Sequence, residues 1–149
     1  MRTVADVMTT HLYTCKSRET LDRAAKIMWE HSCSCVPVVD EHGFLVALVS
    51  DRDVCITAYT QRRALSEIMV TCAACGPLRV VHTVDSLDAA HELMRRHHVR
   101  CLPVVERTGR LIGILSITDI IRCTRLQSEP PLSADSVAAL GSLSSELRG

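Results

Sequence analysis

Aromatic side chains are nearly absent from this chain. Trp29, Tyr13, Tyr59 and Phe44 are the whole set among 149 residues. The core must therefore be packed from Val, Leu, Ile, Ala, Met and Cys. The same scarcity removes the stacking platforms that single-stranded nucleic acid needs, and no long basic stripe takes their place. No apolar run approaches the ~18 residues of a membrane span. The N-terminus lacks the apolar stretch of a secretory signal. A cytoplasmic location is expected, with no membrane and no nucleic-acid partner. The eight cysteines are then expected as thiols rather than disulfides. There is no glycine-rich phosphate loop, no Ser/His/Asp or Cys/His nucleophile spacing and no hydrolase-type acid pair. An enzyme is not expected.

Net charge is absent too, at 17 basic against 17 acidic residues. The balance is uneven along the chain. Residues 1–61 carry −2, residues 62–125 carry +4, and the remainder −2. A cationic second half would favour a small anion.

What is present is a repeat. Laying residue n on residue n+66, without a gap, puts Val4 on Val70, Leu21-Asp22 on Leu87-Asp88 and Met28 on Met94. It also puts Cys35 on Cys101, Pro37-Val38-Val39 on Pro103-Val104-Val105, Gly43 on Gly109, and Ser50 and Asp53 on Ser116 and Asp119. A period this long is one supersecondary unit used twice. Each copy would be marginal alone, so the two are expected to share a core about a pseudo-two-fold axis. The expected division is unit 1 at 1–61, unit 2 at 62–125, and a flexible or weakly helical tail at 126–149.

Within the first copy, Leu12 to Cys15 is β-prone. Leu21, Ala24, Ala25 and Met28 follow helical spacing over about Thr20 to His31. Cys35 to Val39 reads as a buried strand, Asp40 to Gly43 as a hairpin turn with Gly43 at positive φ. Leu45 to Val49 is apolar throughout, as a strand covered on both faces would be. Ser50 opens a helix to about Tyr59. The second copy repeats the order, with a strand at Leu78–Val81, a helix at about Ser86–His97, a hairpin from Cys101–Val105 to Leu111–Leu115, and a helix from Ser116. Thr60 to Met69 links the copies and is expected to pack through Leu65, Ile68 and Met69. Gln127 to Pro131 is expected to break structure. Beyond it, Val137, Leu140 and Leu147 mark a thin apolar stripe.

The strands Val36-Pro37-Val38 and Leu102-Pro103-Val104 lead to Leu48-Val49-Ser50-Asp51-Arg52-Asp53 and Ile114-Leu115-Ser116-Ile117-Thr118-Asp119. With the opening Val4-Ala5-Asp6-Val7-Met8-Thr9, at one fixed spacing, the chain resembles a tandem CBS-domain pair, or Bateman module, over residues 1–124. The resemblance implies an α/β (α+β) fold of two β-α-β-β-α units packed as a pseudo-two-fold disc. It also implies two clefts for an adenosine-containing ligand (AMP, ADP, ATP or S-adenosylmethionine), pairing into a homodimer, and a regulatory, energy-sensing role toward a partner protein. No catalytic cofactor is implied.

On that resemblance the ligand residues fall as follows. Asp53 and Asp119 would clamp ribose hydroxyls. Ser50, Arg52, Ser116 and Thr118 would meet phosphate, aided by the free N–H groups of a helix N-terminus. Cys15, Lys16, Cys33, Ser34, Cys35, Pro37, Val81, His82, Val99, Arg100, Cys101 and Pro103 would form the adenine slot and rim. Plainer readings stand beside these. Ser-x-x-Asp alone is a capping box, Arg52 alone is a solvated arginine, and Cys35 and Cys101 are small core hydrophobes. Arg52 against Thr118 makes the clefts inequivalent. The Met8 position becomes Ala74 in the second copy. Cys72-x-x-Cys75 has metal-ligand spacing but no mate in the first copy, so no metal is expected. Two other functions stay open: a ligand-free oligomerisation module, and a cysteine-based metal or redox sensor.

Overall fold

A computed structural model describes residues 1–73 and 76–128. The tail beyond, Ala74 and Cys75 lie outside the described residues. The elements are β1 (Cys15–Lys16), α1 (Leu21–His31), β2 (Cys35–Val39), β3 (Leu45–Ser50), α2 (Asp51–Gln61), α3 (Leu87–His97), β4 (Cys101–Val105), β5 (Leu111–Ser116) and α4 (Ile117–Ser128). The mixed α+β architecture matches the expected one. β1 runs parallel to β2, and β2 pairs antiparallel with β3. β4 and β5 repeat that pairing in the same register: Cys35 faces Ser50 as Cys101 faces Ser116. Even the register shifts coincide, at Val38/Val39 and Val104/Val105.

Several expectations need correction. The first strand shrinks to Cys15–Lys16, and the ring of Tyr13 lies stacked on His31 with centroids 3.5 Å apart. Its counterpart at Leu78–Val81 is one parallel bridge, Val81 to Val104, because the chain enters it from Gly76 at φ +117° and from Pro77, which has no N–H to give. β3 is not covered on both faces. Ala47 and Val49 are buried while Val46 is 44% exposed. α4 continues through Gln127 to Ser128, past the expected stop. Neither residue bars a helix; the prolines that do come later.

The linker packs through Ile68, which is buried, and Leu65, which is partly so, while Met69, expected to pack, is exposed; what the linker packs on matters more. Val70, Ala73 and Ile68 complete the first core with Leu21, Ala24, Val36, Val38 and Val49. Val4, from the chain's opening, belongs to the second core with Met94, Leu102, Val104 and Leu115. The hydrogen bonds repeat this exchange. Val4 N donates to Asp85 O at 2.8 Å and Leu87 N to Arg2 O at 3.2 Å; Val70 N donates to Glu19 O at 3.0 Å and Leu21 N to Ile68 O at 2.8 Å. Each pair maps onto the other by the repeat offset. Each repeat thus lends its opening segment to the other's helix and core.

The hairpin turns also meet across the pseudo-axis. Leu45 N donates to Gly109 O and Leu111 N to Gly43 O, at 3.1 and 3.2 Å. Gly43 and Gly109 sit at φ +87° and +90°, a conformation in which a Cβ would be strained. Phe44 bridges Arg110, its own repeat mate, and Arg110 Nη2 donates to His42 O at 2.9 Å.

Two surface carboxylates brace these segments. Asp6 accepts from Thr3 N and Thr3 Oγ1 at 2.8 and 3.0 Å. Asp40 accepts from His42 N and Phe44 N, both at 2.9 Å. The Thr3 backbone bond holds Asp6, and the Phe44 backbone bond holds Asp40, below the ordinary carboxylate value. A carboxylate depressed in the folded state binds fewer protons there than when unfolded. Its contribution is present above the unfolded value, about 3.9 for Asp, and is lost as pH falls through the lower folded value. The urea midpoint should therefore hold near neutrality and drop below about pH 4. Asp40→Asn should flatten part of that drop, and a slope unchanged in this variant would count against the assignment.

Candidate functional site

Each β-hairpin delivers its last serine to a helix start. Ser50 caps α2, and its Oγ accepts from Asp53 N at 3.1 Å. Asp53 Oδ2 in turn accepts from Ser50 N and Ser50 Oγ, both at 2.8 Å. The second copy is the same: Asp119 Oδ2 accepts from Ser116 N at 3.0 Å and Ser116 Oγ at 2.6 Å, and Ser116 Oγ accepts from Asp119 N at 3.2 Å. The plain capping-box reading therefore holds in both copies. It does not exhaust the carboxylates. Every hydrogen bond they receive among the described residues falls on Oδ2, and both side chains are half-buried. Oδ1 of each remains as an acceptor.

Around these caps the expected residues divide by depth. Cys15 and Val81 are buried, as are Pro37 and Pro103. Their side chains belong to the cores, and burial pushes the Cys15 thiol up to about 11. Lys16 and His82 occupy matching turns: Lys16 N donates to Glu19 Oε2 at 2.6 Å, and His82 N to Asp85 Oδ2 at 2.7 Å. Lys16 Nζ reaches Asp40 O at 3.3 Å, and His82 Nδ1 lies 2.9 Å from Val105 O. Arg52 and Thr118 are exposed on the first turns of α2 and α4. Ser34 and Arg100 bind the helix starts through their carbonyls, which accept from Asp51 N at 2.9 Å and Ile117 N at 2.8 Å. Ser32 and His98, repeat mates, end α1 and α3 at φ +52° and +53°, turning the chain into Cys33 and Val99. Cys72 is exposed, and Cys75 lies outside the described residues. Among the described residues no three His, Cys, Asp or Glu side chains gather for a metal.

A hollow of about 460 Å³ opens beside the second cap. Val99, Arg100 and Ile117 line it, joined by His91, Met94 and Arg95 from α3 and by His98 at its end. Asp119 lies two residues beyond Ile117, outside the lining itself. Of the residues on α3 and at its end, His98 is a phosphate candidate from the sequence, whereas His91, Met94 and Arg95 were not singled out as ligand contacts. Helical spacing from the clustered histidines could have found them, since 91, 94, 95 and 98 share one face. Their repeat mates are Ala25, Met28, Trp29 and Ser32, and those of Arg100 and Ile117 are Ser34 and Asp51. The cationic lining is thus peculiar to the second half. Arg95 is engaged by Glu92 through two 2.9 Å bonds, and Arg100 is the second arginine of the lining.

Between the two caps lies a thiol cluster. Cys35 is buried, while Cys101 and Cys33 are half-buried. Cys101 Sγ is 4.0 Å from Ser34 Oγ. The neighbouring Cys35 thiol holds the Cys101 thiol below its ordinary value, while Cys101, with burial, pushes Cys35 up.

A duplicated α+β unit with exchanged opening segments and one capped helix start per copy defines a tandem repeat protein. The chain belongs to the CBS domain family, whose model matches residues 4–57 and 65–125. It is 34% identical over 124 residues to the CBS domain-containing protein YhcV of Bacillus subtilis, covering 80% of this chain and 84% of that one. It is 35% identical over 119 residues to a homoserine O-acetyltransferase of Methanococcoides burtonii, but spans only 23% of that enzyme's length and 80% of its own. Among solved structures it resembles CBSX2 in complex with AMP, with TM-score 0.76, 28% identity, and coverage of 87% of this chain and 100% of that one. It also resembles the CBS domain pair of protein MJ0100 in complex with 5'-methylthioadenosine and S-adenosyl-L-methionine, with TM-score 0.74, 26% identity, and coverage of 85% and 98%.

Proposed function

We propose that this CBS pair is a regulatory module that binds an adenosine-containing nucleotide beside its two capped helices and passes the bound state to a partner protein. The observation that carries the reading is the twin carboxylate with one oxygen spent on its cap and the other left over. A ribose offers two hydroxyl donors, and Oδ1 of Asp53 or Asp119 can accept from it without dismantling the cap. The helix N-terminus supplies N–H groups and a positive dipole end for phosphate. Arg52 adds a guanidinium at the first cleft, while Arg100 adds positive charge and His98 a ring nitrogen at the second. Complexes of similar CBS pairs with AMP and with S-adenosylmethionine support the ligand class. The ligand would act by binding one arrangement of the two repeats better than the other. Exposed Ile56 and Tyr59 on α2 and Ile121 on α4 support a homodimer or a partner surface. A cytoplasmic, energy-sensing role follows from the same reading.

Calorimetric titration with AMP, ADP, ATP and S-adenosylmethionine tests it. At least one should give a saturable isotherm. Asp53→Ala or Asp119→Ala should weaken binding at its cleft roughly 10- to 100-fold, the loss of hydrogen bonds to a charged acceptor. Those variants also lose a cap, so Ser86→Ala, which removes the cap of α3 outside the proposed ligand residues, serves as a control. It should lower the melting temperature by roughly 2–4 °C, for about 1 kcal/mol of capping, and leave affinity nearly unchanged. Silence from all four compounds would overturn the reading.

A further inference from the structure

We propose that Cys35 and Cys101 are an oxidisable dithiol that closes to a disulfide across the seam between the two repeats when the protein meets a hydroperoxide. The two cysteines are repeat mates, and each is the first residue of its hairpin, opposite the capping serine. A residue can touch its own mate only where the pseudo-two-fold axis passes. The Ser34 hydroxyl, one residue from Cys35, stands 4.0 Å from Cys101 Sγ, and the Cys35 and Cys101 thiols are close enough to shift each other's ionisation in opposite directions. Four of the other described cysteines lie elsewhere. Cys15 is sealed in the first core, Cys123 is buried on α4 beside Arg2, and Cys55 and Cys72 are exposed on the surface.

The chemistry assigns the two sulfurs different parts. Cys101 is half-buried and reachable by a small oxidant, and its thiolate is stabilised by donors from Cys35 and Ser34. It attacks the hydroperoxide: the S–O bond forms, the O–O bond breaks, and the departing oxygen leaves as an alcohol, or as water from hydrogen peroxide, after taking a proton. Cys35 loses its proton and attacks the sulfenic sulfur of Cys101. The S–S bond forms, the S–O bond breaks, and hydroxide leaves as water with that proton. Two thiols give up two electrons and the peroxide takes them. The product ties Ser34-Cys35 to Arg100-Cys101, the two segments whose carbonyls anchor the α2 and α4 starts. Oxidation would fix the spacing of both caps. This switch stands independently of the nucleotide reading.

The test uses the full chain, fully reduced, freed of reductant and treated at low protein concentration with hydrogen peroxide. The expected product is a monomer lighter by two hydrogens, with one new cross-linked peptide pair joining Cys35 and Cys101. Its melting temperature should rise by roughly 10 °C, as closing a long loop in the unfolded chain predicts, and fall back on reduction with dithiothreitol. Cys101→Ser and Cys35→Ser should each abolish the cross-link. Cys33→Ser should leave it intact. The peptide map needs no variant, so a misfolded substitution does not blunt the test. A map showing Cys33 joined to Cys101, cross-links only between chains, or Cys101 over-oxidised with no link to Cys35 would each overturn the proposal.

Discussion

Val4→Asp should damage the half of the protein to which Val4 does not belong in sequence. Val4 is fully buried, in the second core against Met94, Leu102 and Leu115. A carboxylate there has no partner, and an unpaired buried polar or charged group is among the few changes that cost more than about 4 kcal/mol. The loss should appear first in α3, β4 and β5. Hydrogen exchange should show their amides losing protection before those of β2 and β3. Val70→Asp should invert the order, because Val70 fills the matching place in the first core. Earlier loss of protection in β2 and β3 of the Val4 variant would refute the exchanged packing.

Gly113→Val should cost about 3 kcal/mol through overpacking, and Met8→Ala in the same chain should restore part of it. A Cβ at Gly113 would stand 2.7 Å from Met8 Sδ and 3.3 Å from Thr9 O. The second contact is with backbone held on both sides, since Thr9 N donates to Ile114 O and Ile114 N to Thr9 O, each at 2.9 Å. The methionine can be removed and the carbonyl cannot, so rescue should be incomplete. A double-mutant cycle measures the coupling; additive effects would mean that Met8 does not fill this space. In sequence the mates of Met8 and Gly113 are Ala74 and Ala47.

Much of this was legible because it is local. Leu21, Ala24 and the following apolar positions announce α1, and Ser50-x-x-Asp53 announces both a helix start and its cap. The repeat offset carried every such reading into the second copy. The strand expected at Leu78–Val81 failed where local chemistry was misjudged, with Pro77 and Gly76 limiting it to one bridge. The opening segments were a different kind of miss. Val4 and Val70 are equivalent, so packing on one's own unit or on the neighbour's gives the same pattern of apolar residues. Only the path of the chain decides, and no residue type encodes it. The meeting of Cys35 with Cys101 was hidden for a related reason. Each reads as a small core hydrophobe within its strand, and their contact follows only once the position of the symmetry axis is known.

The traded openings make the duplicate pair a clasp rather than two beads. A proteolytic nick in residues 62–64 would leave both fragments holding a piece of the other's interior. Such a cut chain should still travel as one particle, and a change that loosens either hydrophobic heart must be felt in its twin.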